Sequence, residues 1–271
     1  MKFRFVPAAV LSVVALALTG CTAAGADSAS GTASGTDDSL TSVLDAGTLV
    51  IGTEGTYRPF SFHEDGSGEL TGYDVDVARA VAGELGVDAS FEEAQWDAIF
   101  AGLTAGRWDT IANQVSITPE RLKAYEFSTP YTYSTGVIIV PADNTSITSF
   151  ASLDGLTTAQ SLTSNWNALA TESGANVEGV EGWAQSVALV EQGRVDATVN
   201  DKLTFLSYQK TNGADNLKIA AETEERSESA FTFAQGGTAL ADAVSEALST
   251  LAADGTLAEL SEQYFGADVS Q

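Results

Sequence analysis

An internal repeat is the feature that most limits how this chain can fold. The segment Gly-Arg-Trp-Asp-Thr-Ile-Ala-Asn at 106–113 matches Gly-Arg-Val-Asp-Ala-Thr-Val-Asn at 193–200, and Trp96 and Trp183 each stand ten residues before the first glycine. In both copies the pattern predicts a helix before the glycine and a strand after the aspartate. Because another strand–loop–helix precedes each copy, the repeat predicts two similar α/β lobes.

Two extended stretches, at 127–140 and 229–233, connect the predicted lobes. After the second stretch an apolar stripe at helical spacing predicts helices over 238–265. We therefore expect lobe 1 to contain 41–134 and 230–271, and lobe 2 to contain 135–229. Two such crossovers would act as hinges that open and close a cleft between the lobes.

The N-terminus carries the pattern of an export signal. Lys2 and Arg4 precede a short apolar segment at 6–18, and small residues then lead to Cys21, the one cysteine of the chain. This pattern predicts a lipoprotein signal peptide over 1–20, lipidation of Cys21 and attachment to the outer face of a membrane. The alternative is an ordinary secretory peptide with an unrelated cysteine. Residues 21–40, rich in Ala, Gly, Ser and Thr, are predicted to be a flexible tether.

Charge and residue types exclude several function classes. Asp and Glu number 37 against 12 Lys and Arg, a net charge of −25. Such a surface repels nucleic acid, so we expect no nucleic-acid partner. His63 is the sole histidine and lies in a Gly/Asp-rich turn. Because no metal-ligand spacing, nucleophile elbow or phosphate loop occurs, we expect no catalytic residues, no cofactor and no metal site.

The segment around Arg121 indicates a site for an anion. Thr118 and Pro119 are typical of a helix start, and Arg121 would then occupy the third helical position. A cation there lies against the positive end of the helix dipole, so Arg121, Ser116 and the free backbone N–H groups favour a carboxylate or phosphate. The alternative is that Arg121 pairs with a nearby glutamate.

The second lobe offers matching groups for the opposite wall of the cleft. Thr163, Ser164 and Asn165 open a predicted helix, and Asp201 follows the second strand of the repeat. Arg121 and Asp201 facing each other would bind the carboxylate and the amine of an α-amino acid. The alternatives are a simple helix cap at Ser164 and a solvated turn at Asp201.

Four motifs then reveal a family resemblance. The segments at 52–60, 72–76, 116–121 and 127–131 are similar to those of the polar amino acid solute-binding proteins of ABC importers, and the similarity covers about 40–267. The resemblance implies a two-lobed periplasmic-binding fold (type II, Venus-flytrap) with two hinge crossovers. It also implies an extracytoplasmic monomer that binds a polar amino acid as a small-molecule ligand and delivers it to a permease with its ATPase.

The resemblance also assigns ligand-binding roles. It implies that Tyr57 and Trp96 sandwich the ligand side chain and that Glu54 reaches it. Ser116 and Arg121 match the carboxylate-binding residues. The carbonyl of Gln114, the N–H of Ser164 and the carboxylate of Asp201 match the remaining contacts, Gln114 and Asp201 taking the amine. The departure is Asn113-Gln114, where many members have Gly or Ser.

The segments at 113–117, 160–165 and 180–185 most resemble the cystine-binding branch of that family. Trp96 and Trp183 could wall an elongated disulfide amino acid, although Trp183 could equally be part of the core. The alternatives are binding of arginine, histidine or glutamine, or a dehydratase activity on the same fold. A receptor ectodomain would need further segments after Gln271, which we do not expect.

Overall fold

The computed structural model describes residues 37–271, with the side chain of Asp65 excepted. The predicted signal peptide, Cys21 and residues 21–36 of the predicted tether lie outside the described residues. Residues 37–40, which the sequence assigns to the tether, belong to the folded body. The first helix begins at Ser39, and the Ser39 hydroxyl accepts a hydrogen bond from the Leu240 N–H at 3.2 Å.

Within residues 37–271 the chain forms thirteen strands and eight α-helices. The strands are β1 (Thr48–Thr53), β2 (Thr56–Tyr57), β3 (Ser61–His63), β4 (Leu70–Thr71), β5 (Asp88–Glu93), β6 (Thr110–Ile111), β7 (Tyr125–Phe127), β8 (Thr132–Pro141), β9 (Thr157–Gln160), β10 (Asn176–Gly179), β11 (Thr198–Asp201), β12 (Leu217–Ser229) and β13 (Thr232–Ala234). The helices are α1 (Ser39–Ala46), α2 (Tyr73–Leu85), α3 (Trp96–Thr104), α4 (Asn165–Glu172), α5 (Trp183–Glu191), α6 (Lys202–Asn212), α7 (Thr238–Ala253) and α8 (Thr256–Phe265). None of these helices has the length and hydropathy to cross a lipid bilayer.

The strands form separate sheets. The largest has the order β5-β1-β6-β13-β7, with β1 parallel to β5 and β6, and with β13 antiparallel to its neighbours. A second sheet has the order β11-β8-β12 and is antiparallel. Strands β9 and β10 pair in parallel, and β2-β3-β4 form a small meander. The long strand β8 confirms the extended stretch predicted at 127–140.

Both copies of the repeat adopt the same local structure, and the glycine of each copy follows an equivalent helix. Gly106 and Gly193 follow α3 and α5 with φ of 67° and 65°, the left-handed region that favours glycine. The next N–H groups, of Arg107 and Arg194, donate to carbonyls five residues back at 3.0 Å and 2.9 Å. Both helices therefore end in the same type of C-cap.

Aspartate recurs in the repeat because it makes the same two hydrogen bonds in each copy. The Asp109 carboxylate accepts a hydrogen bond from the Val50 N–H at 2.8 Å, and the Asp196 carboxylate accepts one from the Thr157 N–H at 2.8 Å. The backbone N–H of each aspartate donates to the carbonyl of the same partner, also at 2.8 Å. Each aspartate thus fixes the returning chain beside the first parallel strand of its half.

Separate apolar cores lie on the two sides of the cleft. On one side α2, α7 and α8 pack over β1 around buried residues such as Val77, Val81 and Val244. On the other, Val187 and Phe205 of α5 and α6 pack against β8. Because each side has its own apolar core, neither depends on the other for its packing.

The predicted helix around Arg121 is wrong. The structure has a single 3₁₀ turn, Arg121–Lys123, in which the Thr118 hydroxyl accepts from the Arg121 N–H at 3.2 Å. The turn is capped as expected, but the chain enters β7 at Tyr125 and pairs with β13, so no α-helix follows. The argument from a helix dipole at Arg121 therefore does not hold.

Candidate functional site

A cavity of about 220 Å³ lies between the two halves. The residues that line it come from the loop after β1, the starts of α3, α4 and α5, and the ends of β6, β9 and β11. They are Glu54, Thr56, Tyr57, Gln95, Trp96, Asn113, Gln114, Gln160, Ser161, Ser164, Asn165, Trp166, Glu181, Gly182, Trp183, Ala184, Gln185, Ser186, Val199 and Asn200. Seven of the predicted site residues are among them: Glu54, Tyr57, Trp96, Asn113, Gln114, Ser164 and Asn165.

Glu54 presents one free carboxylate oxygen to this cavity. Its Oε2 accepts from the Asn113 amide at 2.6 Å, and the Asn113 Oδ1 accepts from the Glu54 N–H at 2.9 Å and the Thr53 hydroxyl at 3.0 Å. Burial raises the pKa of the Glu54 carboxyl to about 7. Because these contacts occupy the Asn113 oxygen and one amide hydrogen, Asn113 acts chiefly by orienting Glu54.

Tyr57 joins the two predicted lobes. Its hydroxyl donates to Asn200 Oδ1 at 3.0 Å and accepts from the Thr204 hydroxyl at 2.9 Å. Burial raises the pKa of this phenol well above its ordinary value. Tyr57 therefore remains a neutral hydrogen-bonding group at every physiological pH.

Gln114 adopts the left-handed backbone region, with φ of 50°, which is uncommon for a residue other than glycine. Its backbone N–H and its side-chain amide donate to the two oxygens of Asp74 at 2.8 Å and 2.7 Å, and the amide also donates to the Thr132 hydroxyl at 3.1 Å. Within the described residues the Gln114 Oε1 accepts no hydrogen bond, although the residue is only 8% exposed. A buried acceptor of this kind suits a donor from a bound molecule.

Asp74, the hydrogen-bond partner of Gln114, belongs to the first turn of α2 and does not cap it. Gly72, with φ of 130°, is the N-cap of α2. A Cβ at position 72 would lie 2.2 Å from the Phe60 carbonyl oxygen, so the close approach requires glycine. Burial raises the pKa of the Asp74 carboxyl to about 7, although the hydrogen bonds from Gln114 oppose this shift.

Arg121 lies behind Trp96 rather than on the lining of the cavity. Its guanidinium donates to the Ser116 carbonyl at 2.9 Å and lies 5.4 Å from the Trp96 ring centroid and 5.3 Å from that of Phe100. Burial lowers its pKa to about 10. No described carboxylate lies within ion-pair distance of it, and every glutamate of residues 37–271 is described, so the alternative of a surface pair with glutamate does not hold. Ser116 is buried beside it.

Ser164 is the N-cap of α4: its hydroxyl accepts from the Asn167 N–H at 3.1 Å and donates to the Ser161 carbonyl at 2.8 Å. Thr163 does not line the cavity. Instead its N–H and hydroxyl donate to Asp97 of the facing half at 3.2 Å and 2.6 Å. The N-terminus of α4 thus meets the cavity through Ser164 and Asn165.

Asp201 is a buried helix cap rather than a solvated turn. Its Oδ1 accepts from the Ser134 hydroxyl and the Leu203 N–H, both at 2.8 Å, at the start of α6. Burial raises its pKa to about 6. It follows Asn200, which lines the cavity, but is not itself part of the lining, so the prediction that it faces Arg121 directly across the cavity is not what the structure shows.

The sequence indicates Trp183 as a candidate wall of the site, but Gln160 and the other residues at the start of α5 are not predicted to be part of it. Gln160 ends β9, and Trp183, Ala184 and Gln185 form the first turn of α5. The repeat could have identified the start of α5 as part of the site, because Trp183 matches Trp96, which begins α3 and also lines the cavity. No cluster of potential metal ligands occurs among residues 37–271.

Comparisons of the sequence and of the structure with known proteins agree with each other. The family model for bacterial extracellular solute-binding proteins, family 3, matches residues 49–267. The L-cystine-binding protein TcyA of Bacillus subtilis (strain 168) is 48% identical over 97% of this chain and 96% of that protein. The L-cystine solute receptor of Neisseria gonorrhoeae, in its unliganded open conformation, is 45% identical with a TM-score of 0.58, over 86% of this chain and 99% of that one.

A more distant structure superposes better. An ancestral arginine-binding protein bound to arginine is 33% identical with a TM-score of 0.75, over 81% of this chain and 99% of that one. These neighbours confirm the predicted two-lobed, type II periplasmic-binding fold and the resemblance to the cystine-binding branch. The chain belongs to the bacterial extracellular solute-binding proteins, family 3.

Proposed function

We propose that this protein captures a polar amino acid, L-cystine in particular, outside the cytoplasm and delivers it to the permease and ATPase of an ABC importer. A lipid on Cys21 would hold it at the cell membrane as a monomer, and it would bind its ligand without turning it over. Arginine, histidine and glutamine are the alternative ligands.

The observation that carries the proposal is a set of buried charges without partners of opposite sign. Among the described residues Arg121 forms no ion pair with a carboxylate, and neither Glu54 nor Asp201 forms one with a cation. Buried charges without counter-charges are costly, so such groups are expected where a ligand supplies them. An amino acid carries the carboxylate and the ammonium that these residues lack, although of the three only Glu54 lines the cavity.

Lobe closure is the second part of the proposal, with lobe 1 at 41–134 and 230–271 and lobe 2 at 135–229. The hydrogen bonds of Tyr57 to Asn200 and Thr204, and of Thr163 to Asp97, cross this division. The superposition supports a closed arrangement too, because the ligand-bound relative fits better than the unliganded open one despite its lower identity. We infer that ligand binding stabilises these contacts.

Cystine is favoured over a small apolar amino acid because the cavity offers more polar groups than one amino-acid end can use. Glu54 Oε1, Gln114 Oε1 and the amide nitrogen of Gln160 all remain without partners in the described part of the chain. A ligand that leaves such groups unpaired forfeits about 1–3 kcal/mol for each. Two of the similar proteins bear names that specify L-cystine binding.

The test is calorimetry on unliganded protein with L-cystine, L-arginine, L-histidine and L-glutamine. We expect cystine to bind at least tenfold more tightly than the others, a difference of about 1.4 kcal/mol. Tighter binding of any of the other three would refute the cystine assignment and retain an amino-acid binder. Product analysis of the same samples by mass spectrometry tests the dehydratase alternative.

A further inference from the structure

The N-terminus of α5 has open hydrogen-bond donors in the cavity. The helix runs over nine residues, Trp183–Glu191, and its N-cap Gly182 has no side chain to satisfy them. The first backbone bond of the helix is from the Ser186 N–H to the Gly182 carbonyl at 3.1 Å, so the preceding three N–H groups have no acceptor within the helix. No described residue accepts from them, and the three residues line the cavity.

A second, independent donor lies in the same cavity. Gln160 is only 2% exposed, and its Oε1 accepts from the Thr158 hydroxyl at 3.0 Å, which fixes the amide. Its Nε2 has no hydrogen-bond partner among the described residues. Gln160 pairs with Gly179 in the β9–β10 ladder, and its carbonyl accepts from the Val180 N–H at 3.1 Å, just before α5 begins. A buried amide donor thus lies on the strand that pairs with the segment leading into α5.

Glu54 lies next to the N-cap of this helix. A Cβ built on Gly182 would lie 3.7 Å from Glu54 Oε1, the oxygen that Asn113 leaves free. A helix N-terminus favours an anion, whereas the Glu54 carboxylate favours a cation. The pair therefore suits a group that carries both charges on neighbouring atoms, which is the α-amino-acid zwitterion.

The neighbouring acidic side chain does not fill the position. Glu181 also lines the cavity, but its carboxylate accepts from the Gln185 amide at 3.1 Å, while Gln185 Oε1 accepts from the Glu181 N–H at 2.9 Å. This reciprocal pair occupies both side chains and leaves the N–H groups of the first turn open.

We infer that the N-terminus of α5 and Gln160 Nε2 form a second carboxylate subsite, and that Glu54 binds the ammonium group next to it. This subsite takes the distal amino-acid end of a two-ended ligand, while the groups around Arg121 and Asp201 take the proximal end. The inference rests on the proposed function, and it explains how one cavity selects a ligand with two amino-acid ends.

The test compares ligands that differ only at the distal end. Full-length protein carrying Cys21→Ser has no thiol to exchange disulfides, since Cys21 is the only cysteine. It is titrated by calorimetry with L-cystine, with the mixed disulfide of L-cysteine and cysteamine, which lacks the distal carboxylate, and with that of L-cysteine and 3-mercaptopropionate, which lacks the distal ammonium. We expect each mixed disulfide to bind at least tenfold more weakly than cystine.

A variant then locates the carboxylate contact. Gln160→Leu should weaken cystine binding at least tenfold and reduce its advantage over the cysteamine disulfide to less than threefold. Gln192→Leu, the same change on the exposed far end of α5, should leave both affinities unchanged.

Each outcome of these titrations either supports or refutes the second carboxylate subsite. Cystine bound with less than a tenfold advantage over the cysteamine disulfide would refute the subsite while leaving the amino-acid binder intact. An unchanged advantage in a folded Gln160→Leu protein would also refute it. Failure of every amino acid to bind would refute the proposed function itself, and the inference with it. If Gln160→Leu does not fold, the comparison of ligands on the Cys21→Ser protein still decides.

Discussion

Replacing Tyr57 with phenylalanine removes one oxygen atom from the cleft and leaves the aromatic ring in place. That oxygen donates to Asn200 and accepts from Thr204, both in the facing half of the molecule, at 3.0 Å and 2.9 Å. These two hydrogen bonds exist only when the halves are together. Tyr57→Phe therefore separates the contribution of the ring, which we expect to contact the ligand, from that of closure.

The magnitude follows from those two bonds. Each contributes about 0.5–1.5 kcal/mol, so the closed form should lose about 1–3 kcal/mol relative to the open form. If the ligand is bound in the closed form, as we propose, this loss corresponds to about 5- to 150-fold weaker binding. Stopped-flow tryptophan fluorescence should show most of the change in the dissociation rate, since the bonds form after the ligand has entered.

Tyr208→Phe is the matched control for this change. The Tyr208 hydroxyl donates to Glu191 at 3.2 Å on an exposed surface within one half, so its loss should leave affinity and dissociation rate unchanged. Equal affinities of Tyr57→Phe and unaltered protein, within twofold, would refute the role of these bonds in closure. A loss of affinity confined to the association rate would refute it as well.

Three further predictions test the site and the anchor. Arg121→Ala should weaken binding of every amino acid at least 100-fold in calorimetry, because it removes charge-assisted bonds of about 1.5–3 kcal/mol each. The control Arg107→Ala should leave binding unchanged. Retained affinity in Arg121→Ala would refute the assignment of Arg121 to the ligand carboxylate. Cys21→Ser should move the protein from the membrane to the soluble fraction at unchanged ligand affinity, and a variant that stays with the membrane would disprove lipidation. Burial raises the pKa of Glu54 to about 7 and of Asp201 to about 6, so over about pH 4–7 the folded chain keeps protons that the unfolded chain has released, and its stability should fall as pH rises. Cystine supplies the missing ammonium groups, so the rise in melting temperature on adding it should be larger at pH 8 than at pH 5 in scanning calorimetry; equal rises would contradict this.

Much of the architecture could be predicted because the repeat encodes it locally. Gly106 and Gly193 take the left-handed region, and Asp109 and Asp196 bind the first strand of each half through the same two hydrogen bonds. These requirements involve only a few residues and a specific residue type. A pattern that meets them twice therefore predicts two related substructures from sequence alone.

The errors arose where tertiary contacts override a local pattern. Thr118 and Pro119 are typical of a helix start, yet β7 pairs with β13 four residues after Arg121 and stops the helix at one turn. Asp74 has the residue type of an N-cap, but its carboxylate accepts two hydrogen bonds from Gln114, forty residues away. Local propensity is weaker than such contacts.

The same limit applies to Thr163. It is a polar residue at a helix start and so suggests a ligand contact, but its donors bind Asp97, 66 residues earlier in the chain. That pairing depends on how the two halves meet, and no local pattern carries this information. Sequence reasoning could therefore place the residue at the cleft without identifying its partner.

The repeat also shows how a symmetric scaffold acquires an asymmetric site. Asn113 and Asn200 occupy equivalent positions in the repeat, and both line the cavity. Asn113 follows β6 and Asn200 belongs to β11, and both strands end at the cavity. Asn113 holds Glu54 within its own half, whereas Asn200 accepts from Tyr57 across the cleft. We propose that the first amide orients a charge for the ligand and that the second forms its contact on closure. In the proposed function a ligand that draws the two halves together would engage both amides, and recognition would then be coupled to the shape that a permease receives.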